Sequence, residues 1–354
     1  MAGVLDRLQD FAGWLANGEI ALPDVVAIPP ARCLPAGSAG TDIGKDRDYF
    51  TVTINELFLS NARRGWAIYD PMVLVTTSFL YGDKRISVPS VVGPGLLARA
   101  GQRLPQGLVL QDTTVAGPYP YRGGPVAIAL AFYRLRNQDY AQGLLQLVEG
   151  VSNAVGPAAD IGILAKVGRP LLDGLNKLLG MGETEPIAGH RIELSPVKPG
   201  GFRTCFSALI DRDKDLSMPT LRVDGGRLLT AADGGAARRY DEADYVLHSV
   251  SASNRRDDEA TLPIYGLYQR ALQDAARGGE DAWKSAKATF AELWQQMILS
   301  PDLTKTQAAE LFDAWKKDLL DTRERGDNTR MMSASDRAPF PDDRLQGAAS
   351  VLDL

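Results

Sequence analysis

A chain of 354 residues is long enough for two or three compact units, because single hydrophobic cores stop growing below this length. Its hydrophobic content of 45% and charged content of 23% are ordinary for a globular protein and unlike a disordered one. A formal net charge of −5 argues against nucleic acid as a partner, since that requires a basic field to displace counterions.

Val4, Leu8, Phe11, Ala12 and Leu15 repeat at helical spacing and predict a short amphipathic helix within 1–20. Residues 21–48 are rich in Pro and Gly, a connector with one strand at Asp24–Ile28. From Tyr49 the period changes to two. Phe50, Val52 and Ile54 alternate with Thr51, Thr53 and Asn55, the pattern of a half-buried strand. Met72–Tyr81 and Arg85–Val88 form a hairpin across the turn Gly82-Asp83, and Leu108–Val115 is a further strand. In Val126–Tyr133 the large residues face one way and Ala127, Ala129 and Ala131 the other, so something should pack closely on that small-residue face. Strands in succession, without intervening helices, predict antiparallel pairing and a β-sandwich over 21–135, similar to a C2-type domain in outline only.

A helical connector over 136–182 follows, capped by Asn137 and containing an amphipathic helix at 158–179 with Lys166, Arg169 and Lys177 on its polar side. Strand character returns in a second β region, 186–255, at His190–Leu194, Arg203–Ile210, Thr220–Val223 and Tyr245–Ser251. These four either build a second small sheet or complete the first. A three-helix bundle is expected over 258–326: Leu262–Ala276, then Asp281–Leu299 with Trp283, Phe290, Leu293, Trp294, Met297 and Ile298 on its inner side. The third helix opens on the capping box Thr304-x-x-Gln307 and turns Leu311, Phe312, Trp315 and Leu319 inward. A polar, flexible tail is expected over 327–354, ending in the apolar residues Leu345, Val351, Leu352 and Leu354. The fold class is therefore α+β.

Recognisable chemistry is sparse. Ala39–Asp46 misses a phosphate-binding loop, with Ala39 where glycine is required and Asp46 where a metal-reaching hydroxyl is required. Asp211, Asp213 and Asp215 alternate as in a calcium loop, but Leu216 and Arg222 stand where that loop needs Gly and Glu. Asp46 or Asp48 would have to complete such a site, and a solvated turn is the preferred reading. The paired arginines Arg63-Arg64, Arg238-Arg239 and Arg255-Arg256 read as solvated loop charge. Of the two histidines, His248 shares a face with Val246 and Val250 and reads as a core residue, whereas His190 follows Gly189 at a strand start. Cys205, between Thr204 and Phe206, reads as a small hydrophobe. A pairing of Cys205 with either histidine defines the alternative of a cysteine-dependent hydrolase.

The most distinctive loop is Tyr119-Pro120-Tyr121-Arg122-Gly123-Gly124-Pro125, in which tyrosine and arginine are residue types enriched at binding hot spots. The competing reading is a rigid lead-in turn to the Val126 strand. The expected function is a non-catalytic interaction protein, an adaptor or effector subunit of a bacterial multi-component system set in defence or stress response. Another protein would be its partner, through Tyr119, Tyr121, Arg122, Leu352 and Leu354. No cofactor and no metal are expected. Asp6, Arg7 and Asp10 interrupt any leader-like apolar run, and two cysteines are too few for a disulfide scaffold, so the expected location is the cytoplasm. A membrane-acting effector using the 158–179 helix is the other alternative.

Overall fold

The computed structural model describes residues 25–60, 63–64, 67–68, 70–93, 108–135, 184–198, 200–211, 220–231 and 237–335. The helices expected within 1–20 and 136–182 lie outside these residues, as do Leu345, Val351, Leu352 and Leu354. The fold is mixed α+β with mostly antiparallel sheets, and the chain divides into two compact units, Met1–Asp257 and Asp258–Leu354.

The first unit contains β1 (Val25–Ile28), β2 (Cys33–Leu34), β3 (Tyr49–Phe58), β4 (Arg63–Arg64), β5 (Ala67–Ile68), β6 (Asp70–Tyr81), β7 (Lys84–Val92) and β8 (Leu108–Pro120). It continues with β9 (Val126–Leu135), β10 (Thr184–Leu194), β11 (Cys205–Ile210), β12 (Thr220–Asp224), β13 (Arg227–Ala231), β14 (Arg238–Arg239) and β15 (Tyr245–Ser253). A middle sheet runs β1-β11-β15-β3-β8, an inner-facing sheet β10-β9-β6-β7, and an outer sheet β14-β13-β12-β2; β4 and β5 pair with each other. The sequence left open whether the strands of 186–255 build a second sheet or complete the first. Strands β11 and β15 enter between β1 and β3, and β10 extends the sheet of β9, so the two β regions share their sheets. Alternation encodes which face a residue takes and carries no information about which strand lies alongside.

The middle sheet is buried on both faces. Toward the inner-facing sheet, Phe50, Val52, Ile54, Val246 and Val250 meet Val73, Val75, Phe79, Ile128, Leu130 and Phe132 in one core. Toward the outer sheet, Phe58, Phe206, Ala208, Tyr245 and Leu247 meet Cys33, Leu221, Val223 and Leu228 in another. On β9 the large residues Val126, Ile128, Leu130 and Phe132 take the first core, and Ala127 and Ala131 are buried on the opposite face, as their small size anticipates.

One irregularity makes this arrangement work. The β3–β15 ladder slips between Leu247 and His248, where Glu56 and Ile54 are partnered and Asn55 is the additional residue. Up to Ile54 the even positions of β3 enter the first core; beyond the bulge Leu57 takes that side and Phe58 the other. Glu56 is thereby turned toward the outer sheet, where it is 1% exposed. Its Oε2 accepts the Leu228 N–H at 2.7 Å and the Tyr245 hydroxyl at 2.9 Å, and its Oε1 accepts from Arg239 at 3.2 Å. Arg239 also lies over the Phe58 ring, 5.3 Å from its centroid, so it is a structural partner rather than solvated loop charge. The bulge itself is pinned: Asn55 Nδ2 donates to Asp112 at 3.2 Å, Arg227 donates to the Asn55 carbonyl at 3.1 Å, and Arg227 pairs with Asp112 at 2.7 Å.

In the second unit, α1 (Tyr265–Ala276), α2 (Glu280–Leu299) and α3 (Lys305–Ser335) close around a core of their own. The Gln307 N–H donates to Thr304 Oγ1 at 3.1 Å, the bond that the sequence predicts for the start of α3. Leu311, Trp315 and Leu319 are buried on the expected stripe, with Phe312 packed beside them. Two expectations are corrected. Ile298 is 50% exposed rather than inward-facing, because the buried row of α2 runs through Ala286, Phe290, Leu293 and Met297. The tail does not begin at 327: α3 continues to Ser335, Arg323 stacks on Trp283 at 4.4 Å and pairs with Asp327 at 3.4 Å, and Arg330 donates to the Gly278 carbonyl at 3.3 Å. Trp315 is 7% exposed and stacks on Tyr268 at 4.4 Å. Trp315→Ala should cost about 3–5 kcal/mol in chemical denaturation, whereas an unchanged midpoint would place the ring outside the core.

Candidate functional site

The Tyr119–Pro125 loop joins β8 to β9 and is fastened from three sides. Tyr119 stacks on Phe79 at 4.6 Å and meets Tyr81 edge-on at 6.5 Å. Tyr121 is 3% exposed, packs on Phe202 at 4.4 Å and donates its hydroxyl to the Gly124 carbonyl at 2.9 Å. Burial pushes its phenol up from the ordinary value. The Tyr121 backbone exchanges hydrogen bonds with Asp46 and Asp48, and Arg122 pairs with Asp46 at 2.9 Å, both side chains largely covered. Tyr121 and Arg122 are thus largely covered within the loop whose composition suggested a contact surface. Residue type alone does not separate a hot-spot tyrosine from one that seals a sheet end. Leu352 and Leu354 lie outside the described residues.

The same loop contacts engage backbone and side-chain groups of 39–48 that an anion or a cation would need. Gly40, Ile43 and Asp46 donate their N–H groups to the carbonyls of Thr204, Phe202 and Tyr121, so these donors face protein. Asp48 accepts from Gly44 N–H at 2.7 Å and from Arg47; burial raises its carboxyl, but the Arg47 guanidinium and the Gly44 N–H together outweigh burial and hold it below its ordinary range. Of the alternating acids, Asp213 and Asp215 lie outside the described residues, and among the described residues no three acidic, His or Cys side chains cluster as metal ligands would.

Fold topology does gather the reactive residue types. On β11, Cys205, Ser207 and Leu209 share the face toward the first core, and His248 pairs directly with Ser207. From the facing sheet, His190 stands opposite Leu130 on the side that carries Leu194 into the same core. The electrostatics are the reverse of what nucleophilic catalysis needs. Burial pushes the Cys205 thiol up to about 11, while burial and the neighbouring His190 push His248 down to about 4. A thiolate–imidazolium pair requires the opposite shifts, so both groups are neutral at neutral pH.

The second unit leaves an apolar surface where a polar one would cost nothing. Met297 is closed into the core at 1% exposure, and the next two residues, Ile298 and Leu299, stand 50% and 81% exposed at the end of α2. This pair was legible in sequence only as the end of a helical stripe, because the exact phase of the stripe decides which side Ile298 takes. Comparison with protein families, with characterised proteins and with solved structures finds no match to this chain.

Tyr121→Ala should destabilise the first unit by about 3–5 kcal/mol, the usual cost of emptying an aromatic site in a core. Urea unfolding measures it; an unaltered midpoint would return the loop to the surface.

Proposed function

We propose that this chain is a non-catalytic interaction protein, an adaptor or effector subunit of a bacterial multi-component system in a defence or stress setting. Its helical unit carries the contact surface for another protein. The observation that supports this is the Ile298–Leu299 pair, two successive large apolar residues presented beside a core that is already closed without them. In this reading the two facing sheets are a β-sandwich, similar to a C2-type domain in outline only, and α1, α2 and α3 are a three-helix bundle. The neutral Cys205 and His248 speak against the cysteine hydrolase. Two free cysteines, Cys33 and Cys205, suit the cytoplasm. Among the described residues no helix is long and apolar enough to cross a membrane.

The test is affinity capture from the native host, quantified by mass spectrometry, with the full chain and with Ile298→Asp/Leu299→Asp. A captured partner should be lost by roughly thirtyfold, the equivalent of about 2 kcal/mol at a hot spot, with the thermal midpoint unchanged. Equal capture by the variant would remove the α2 end as the contact surface.

A further inference from the structure

We propose that His190 and His248, one from each of the two sheets that share the first core, form an acid-sensitive latch. Proton uptake there parts the sheets. His248 sits on β15 between Ser207 of β11 and Ile54 of β3, is 1% exposed, and lies on the face that carries Val246 and Val250 into the core. His190 reaches the same core from β10, opposite Leu130. Nδ1 of each ring is buried without a hydrogen-bond partner. Burial and, after it, charge on His190 both disfavour a proton on His248.

Among the described residues, the groups around them give a proton no counter-charge. On their shared face β11 offers Cys205 and Ser207, β3 offers Val52 and Ile54, β9 offers Ile128 and Leu130, and β6 offers Val75 and Thr77. The one further titratable group among these is Cys205, whose thiol stays neutral. Arg191 and Glu193 of β10 are exposed on the opposite face, and Glu56, Arg239 and Tyr245 lie toward the outer sheet. A charged imidazole in this core is therefore desolvated and unpaired, which folded proteins avoid by releasing the proton or by opening.

The direction of the effect follows from linkage. Burial holds His248 at about 4 in the folded chain against 6.5 for the exposed ring, and burial also lowers His190. Between those limits the opened state binds more protons than the closed one. Closure is thus fully stable above pH 6.5 and weakens as pH falls toward 4, by about tenfold per pH unit for each histidine that titrates. The helical unit contains no histidine and supplies an internal reference.

The test uses the full-length chain, whose two histidines make assignment direct. Imidazole titration by NMR is combined with amide exchange at about pH 7.5 and about pH 5, corrected for intrinsic rates. Exchange in β9, β10, β11 and β15 should accelerate about tenfold or more at the lower pH while α1, α2 and α3 keep their protection. His190→Gln and His248→Leu should each reduce that acceleration; His190→Gln, at the less buried position, serves if His248→Leu does not fold. Either ring titrating near 6.5 with the sheet amides still protected would overturn the latch. Equal acid sensitivity in wild type and His190→Gln would overturn it as well.

Discussion

Glu56 fastens the outer sheet to the middle one. A carboxylate withdrawn from water costs several kcal/mol unless charge and hydrogen bonds replace its hydration. Here a backbone N–H from β13, a tyrosine hydroxyl from β15 and the Arg239 guanidinium from β14 all converge on it. Three strands of two sheets are therefore tied through one side chain. Removing Glu56 would leave an arginine, a hydroxyl and an amide donor without their acceptor. The bulge at Asn55 is the condition for this arrangement: without the additional residue, Glu56 would enter the apolar first core.

The consequence is a middle sheet with no solvated face over most of its central strands. Such strands should be continuously apolar, and β15 nearly is: Tyr245, Val246 and Leu247 are fully buried. His248 and Ser249 are the exceptions, and His248 is the one that can take up a proton. A polar ring on a doubly buried strand has no water to fall back on, so it stays neutral. The same low-dielectric setting keeps Cys205 a thiol. Burial thus weakens the reading of these residues as a catalytic pair and makes them sensitive to protons.

Strand existence was largely readable. The alternation through Phe50, Val52 and Ile54, the Gly82-Asp83 turn and the Val126–Phe132 face all have local physical causes, and the structure contains each of them. Strand order was not readable, because β11 and β15 reach β1 and β3 across more than 150 residues of chain and nothing local encodes that pairing. β13 was missed: Arg227–Ala231 is short and opens on a charged residue, and its place beside β12 depends on the Gly225-Gly226 turn. The helical unit was read best, since its stripes and the Thr304 cap are local, apart from the phase error at Ile298 and the persistence of α3 to Ser335. The site was the least legible. Tyr121 and Arg122 have hot-spot chemistry but serve Phe202 and Asp46, and only a partner across the fold distinguishes the two roles.

The layered fold depends most on the link between Glu56 and the outer sheet. Amide exchange of the full chain should be followed in Glu56→Ala beside wild type. Protection should fall in β12 and β13, Leu228 included, while Val73, Ile128 and Val250 of the first core keep theirs. Undiminished protection throughout β12 and β13 would contradict the account, because the outer sheet would then be held by its apolar contacts alone.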